Sequence, residues 1–106
     1  MHIFMQPKCD LYWPDAGSET YGDLVVTAAR EDSLAWYTLR TFTVRKVKAN
    51  GQTLTKESQE RTVYQYHYTA WPDHGVPLHA LPLVAFVRNS SSASPPEAGP
   101  LVVHCR

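Results

Sequence analysis

Three short runs have the composition of reactive segments: Trp71-Pro72-Asp73-His74-Gly75-Val76-Pro77, Leu101-Val102-Val103-His104-Cys105 and Lys8-Cys9-Asp10-Leu11-Tyr12-Trp13-Pro14. In the first, a carboxylate sits between two prolines, beside a glycine and a tryptophan. Proline fixes φ and glycine frees it, so such a loop is stiff with few hinge points and can carry an acid into and out of a site. The same residues also suit a plain connector in which Asp73 caps a following helix. In the second run, a cysteine follows an apolar, β-branched stretch and a histidine. Ligands gather beyond the carboxyl ends of strands in open α/β sheets. A cysteine placed there, ahead of a helix N-terminus, is a thiolate nucleophile. The other reading of Cys105 is a buried structural thiol, a common state of cysteine. Cys9 and the histidines His2, His67, His74, His79 and His104 form no C-x-x-C or H-x-x-x-H pair, so no metal site is expected.

The elements that must position these groups are mostly strands. Residues 24–28 (LVVTA) form a short strand candidate. Residues 36–48 are dense in Tyr, Thr, Phe and Val, with imperfect alternation that implies a bulge or burial on both faces. Residues 61–71 alternate better: Tyr64, Tyr66 and Tyr68 share one face, and Gln65, His67 and Thr69 the other. The tyrosine face is read as core. Asn50-Gly51, a turn dipeptide within the polar stretch 49–60, is expected to join the two long strands as an antiparallel pair. Residues 15–22 are polar and turn-rich. The period then changes. Leu78, Leu81, Val84 and Ala85 lie on a helical stripe within residues 77–88, with Pro82 tolerated in the first turn. Residues 89–100 (NSSSASPPEAGP) read as a solvated loop, and residues 101–104 as a fully buried strand. The fold class is therefore α/β (α+β): a partial mixed, twisted sheet with one crossover helix.

Composition narrows the function. The chain has 106 residues, one small domain or a piece of a larger one. A hydrophobic fraction of 43% with 19% charged residues excludes compositional disorder. Ten Lys+Arg balance ten Asp+Glu, which removes the main argument for nucleic-acid binding. No apolar run approaches the roughly 20 residues of a membrane helix. Residues 1–8 do not have the pattern of a signal peptide. Two cysteines are too few for a disulfide scaffold and read as reduced thiols in a cytosolic setting.

The run Y-x-Y-T-A-W-P-D-H-G-V-P, followed downstream by A-G-P-L-V-V-H-C, resembles the catalytic domain of the phosphotyrosine-specific protein tyrosine phosphatases. K-C-D-L-Y-W-P, S-E-T-Y-G and the V-R-K strand match the same family in order. The resemblance covers residues 8–106 as a partial phosphatase domain and leaves residues 1–7 unmatched. The polar insertion at 47–60 and the run E-R-x-V-x-Q-Y-H-Y-T look nearest to the membrane-proximal domain of receptor types gamma and zeta. The resemblance implies hydrolysis of phosphotyrosine in proteins through a phosphocysteine intermediate. Cys105 would be the nucleophile. Asp73 would protonate the leaving tyrosine oxygen and then activate water. His104 would support the thiolate, and Trp71 would serve as hinge and wedge of the acid loop. No metal or cofactor is implied. The partners would be phosphotyrosine-containing proteins, met on the cytoplasmic side of a membrane by a single-pass receptor.

The family's phosphate loop reads H-C-x-x-G-x-x-R, whereas here His104-Cys105 is followed by Arg106, directly after the cysteine and not at the motif position. The segment ahead of Lys8 also lacks the acid that the family usually carries there. The 106 residues thus contain neither the successive backbone N–H groups nor the bidentate arginine that grip a phosphate. An arginine in that role is worth about 10³–10⁵ in rate. These residues by themselves are expected to be inactive, and their substrate-binding residues stay unassigned. The alternative function is a non-catalytic, phosphatase-like interaction fragment.

Overall fold

The computed structural model describes residues 10–47, 60–72 and 74–105. Four strands, β1 (Ser18–Tyr21), β2 (Leu24–Ser33), β3 (Tyr37–Lys46) and β4 (Arg61–Tyr68), form one sheet in the order β1-β2-β3-β4. A helix, α1 (Leu81–Ser92), and a 3₁₀ turn at Pro96–Ala98 follow. The class is as the sequence implied, α+β with one helix after the strands. All three pairings among the described residues are antiparallel.

The Tyr37↔Tyr68, Leu39↔Tyr66 and Thr41↔Tyr64 register confirms the antiparallel pairing expected of the two long strands. The Asn50-Gly51 turn lies outside the described residues. The expected bulge exists but sits on the neighbouring strand. Ala28 faces Phe42 and Arg30 faces Thr41, so Ala29 is the extra residue of β2. The bulge lets β2 run on to Ser33, past the expected end at Ala28. β1 was hidden in the polar stretch 15–22: every residue in it is exposed, so no alternation marks it, and only its pairing with residues 24–27 reveals a strand. Gly22, at φ +65°, supplies the left-handed position of the β1–β2 hairpin.

The sheet has two unlike faces. On one, Phe86 of α1 packs edge-on to Tyr37, Tyr66 and Tyr68 at 5.2–6.3 Å between ring centroids, and Tyr37 stacks on Tyr66 at 5.8 Å. The tyrosine face, read as core, is only partly so: Tyr66 and Tyr68 are partly covered, by α1, and Tyr64 beyond its reach is 57% exposed. On the other, Thr38, Arg40 and Phe42 of β3 are buried, and the register sets Arg40 opposite Gln65 and Thr38 opposite His67. Trp13 closes over this face, its ring 4.6 Å from the Arg40 guanidinium. Arg40 is 6% exposed and donates to Glu31 (2.6 Å), Gln65 (2.9 Å) and His67 (3.0 Å). Arg40→Leu keeps the bulk and deletes three charge-assisted bonds. It is expected to lower the unfolding free energy by about 2 kcal/mol, measured by urea denaturation.

Three expectations are corrected here. The helix begins at Leu81 rather than residue 77, and Leu78 stands outside it, fully in solvent. Ala80 occupies the cap position with no side-chain bond, and Asp73, read as one candidate cap, lies outside the described residues. Residues 89–92, read as loop, continue α1. Ser90 Oγ bonds back to the carbonyls of Phe86 (2.9 Å) and Val87 (3.2 Å), and Asn89 Nδ2 donates to the Tyr37 hydroxyl (3.3 Å). Residues 101–104 are not a buried strand: Val102 and Val103 are 79% and 85% exposed and make no ladder. A parallel strand is buried by its neighbours, and no described strand lies beside these residues.

Candidate active site

β4 ends at Tyr68, and Thr69 N–H donates to the Trp36 carbonyl at 3.0 Å, tying down the near end of the next loop. Beyond it, the Trp71 indole N–H donates to the Gly75 carbonyl at 3.3 Å. This bond ties Trp71 to Gly75 across the loop. Gly75 adopts φ +81°, which a residue with a Cβ adopts only under strain. Trp71 is half-exposed and Val76 mostly so, so the loop is held by its own internal bond more than by packing. Asp73 itself lies outside the described residues.

His104 and Cys105 lie at the other face of the sheet from α1. His104 Nδ1 is 2.9 Å from the Cys105 carbonyl, and its Nε2 is 2.9 Å from the Tyr12 hydroxyl. The Tyr12 and His104 rings also meet edge-on at 5.4 Å. Tyr12 is held at both ends: Gln65 Nε2 donates to its hydroxyl at 2.9 Å, and the Tyr21 hydroxyl reaches its carbonyl at 3.2 Å. Glu19 also accepts from Tyr21, at 2.6 Å, and this bond to a carboxylate raises the Tyr21 pKa. Cys105 is exposed. The structure brings His104 and Cys105 together with Tyr12 and Gln65. Trp71 makes no hydrogen bond or ring contact with His104 among the described residues.

Tyr12, Gln65, Arg40 and His67 carried no assigned role in the sequence reading. Two signals for them were present: Tyr12 and Trp13 belong to K-C-D-L-Y-W-P, and alternation put Gln65 and His67 on one face of β4. His67 packs edge-on to Trp13 at 5.7 Å. Burial, then the Arg40 guanidinium and His104, lower its pKa from 6.5 to about 4. The folded state therefore holds His67 neutral where the unfolded chain is protonated. Its contribution to stability is complete above pH 6.5 and is lost as the pH falls from 6.5 to 4. Because the ring is half-buried, the loss is screened to about 1 kcal/mol. Thermal melts across that window are expected to slope downward with acid, and His67→Gln to flatten the slope.

No group of three or more His, Cys, Asp or Glu side chains that could hold a metal ion occurs among the described residues. No helix among them is long and apolar enough to cross a membrane.

Comparison with known proteins agrees with the motif order. The family model for protein-tyrosine phosphatase matches residues 3–106. The chain is 52% identical over 101 residues to tyrosine-protein phosphatase 99A of Drosophila melanogaster, covering 92% of this chain and 7% of that protein. It is 49% identical over 98 residues to the receptor-type tyrosine-protein phosphatase zeta of Rattus norvegicus, covering 92% of this chain and 4% of that protein. It is 52% identical over 99 residues to the putative receptor-type tyrosine-protein phosphatase mosPTP-1 of Culex quinquefasciatus, covering 92% and 6%. The chain thus spans 4–7% of the length of these curated relatives. With the family model matched along nearly its whole length and half its residues identical to receptor-type relatives, the chain belongs to the protein-tyrosine phosphatase family.

Proposed function

We propose that these residues serve the hydrolysis of phosphotyrosine in proteins, with Cys105 as nucleophile and Asp73 as general acid and then base. In the first step the Cys105 thiolate attacks phosphorus. The S–P bond forms, the P–O bond to the phenol breaks, and Asp73 gives its proton to the leaving oxygen. In the second step Asp73 takes a proton from water, the water oxygen attacks phosphorus, and the S–P bond breaks to release inorganic phosphate and the thiolate. An acid is needed because a phenol has a pKa of about 10 and leaves poorly as the bare anion at neutral pH. Trp71 acts as the hinge that holds the acid loop, and His104 supports the reactive cysteine. The observation that carries the reading is the exposed Cys105, its carbonyl bonded by His104, which Tyr12 holds in turn, on a chain whose motif order is that of the family. The setting that fits is the cytoplasmic side of a receptor.

The catalytic surroundings are incomplete within these residues. Phosphoryl transfer depends on positioning and on donors to the equatorial oxygens, and the 106 residues hold neither the amide cradle nor the motif arginine. Incubated alone with a phosphotyrosyl peptide, the 106-residue chain is expected to release no phosphate. Grafted in place of the matching segment of the rat zeta phosphatase domain, the same residues are expected to restore turnover. An inactive but folded graft would favour a non-catalytic interaction role instead.

A further inference from the structure

A chain of hydrogen bonds runs from the buried centre of the sheet to the peptide of the nucleophile, and its direction is determined at its two ends. Arg40 is clamped by Glu31 and by the Trp13 ring. A guanidinium only donates. The Gln65 atom facing it at 2.9 Å is therefore the carbonyl Oε1, which turns the amide NH₂ toward Tyr12. The amide NH₂ only donates in turn. The Tyr12 oxygen accepts from it and keeps its own hydrogen for the ring nitrogen 2.9 Å away, His104 Nε2. At the far end the Cys105 carbonyl only accepts, so the His104 atom 2.9 Å from it, Nδ1, carries the proton, and Nε2 is left to accept from Tyr12.

We infer that Gln65, set by Arg40, is a positioning residue that fixes the tautomer and orientation of His104 through Tyr12, and so holds the peptide of Cys105. The catalytic meaning of this device rests on the phosphatase reading, but the device itself can be observed without substrate. Gln65→Glu is the sharp test. A carboxylate keeps the bond to Arg40 but accepts on its second oxygen as well. The Tyr12 hydroxyl then turns to donate to it, and His104 must donate from Nε2 to the Tyr12 oxygen.

The measurement is the ring ¹⁵N spectrum of His104 in the labelled 106-residue chain at pH 8. The unaltered chain is expected to show mainly the Nδ1–H tautomer. Gln65→Glu is expected to move the tautomer ratio by about tenfold toward Nε2–H, and Tyr12→Phe by about fivefold, the scale of a charge-assisted and of an ordinary hydrogen bond. Both changes are nearly isosteric, and the backbone spectrum of β3 and β4 reports that the sheet is intact. An Nε2–H tautomer in the unaltered chain, or a ratio unmoved by Gln65→Glu, overturns the inference. Neither outcome touches the phosphatase reading, which stands or falls on turnover by the graft.

Discussion

In the grafted domain, Cys105→Ser is expected to abolish phosphotyrosine turnover while leaving peptide affinity near that of the parent graft. The substitution changes one atom and leaves the shape of the side chain nearly unaltered. What is lost is the nucleophile. A serine hydroxyl stays protonated at neutral pH and attacks poorly without a dedicated base, whereas a thiolate is the reactive form of cysteine. Removal of a covalent nucleophile elsewhere costs about 10⁶ in kcat, and a loss of about 10⁴ or more is expected here. Phosphate release and peptide binding, measured on the same preparation, check the two halves of the claim. A graft that still turns over with serine at 105 would return Cys105 to a structural role.

Asp73→Asn is the second large effect. Asparagine preserves size and removes only the exchangeable proton. A positioned general acid is worth about 10²–10⁴ in rate, and kcat is expected to fall by that factor. The loss should depend on the leaving group. With a nitro-substituted phenyl phosphate the departing phenolate is less basic and needs less protonation, so the penalty shrinks. With phosphotyrosine it is full. The limb of the pH–rate profile that reports the acid should vanish with the aspartate. Equal losses on both substrates would mean that Asp73 orients the loop and transfers no proton.

Sequence pattern went furthest where a face had a uniform character. The tyrosines of β4 alternate with Gln65 and His67, and that period alone separated the face that meets α1 from the polar face, though the polar face is the one that Trp13 buries. Pro82 near the start of a helix was legible from its missing N–H. β1 was not, because a short, fully exposed edge strand carries no apolar signal. The extent of β2 was misjudged because a bulge shifts its phase at Ala29. At residues 101–104 an apolar, β-branched run shows which surroundings it suits, and those surroundings are not among the described residues. The candidate site divides in the same way. Cys105, His104 and Trp71 are marked by local motifs. The link from Arg40 through Gln65 and Tyr12 joins three distant stretches of chain and becomes visible only once register and distance are known.

The order of the strands bears on how the protein is made. Each described strand pairs with the next one along the chain, so the described part of the sheet is a simple meander whose fourth strand ends at Tyr68. Proteins fold from the N-terminus as the ribosome delivers them, and contacts between sequence neighbours form fastest. The platform bearing Arg40 and Gln65 can therefore assemble before the acid loop has been synthesised. Cys105 then emerges after it, onto a surface already formed to receive it.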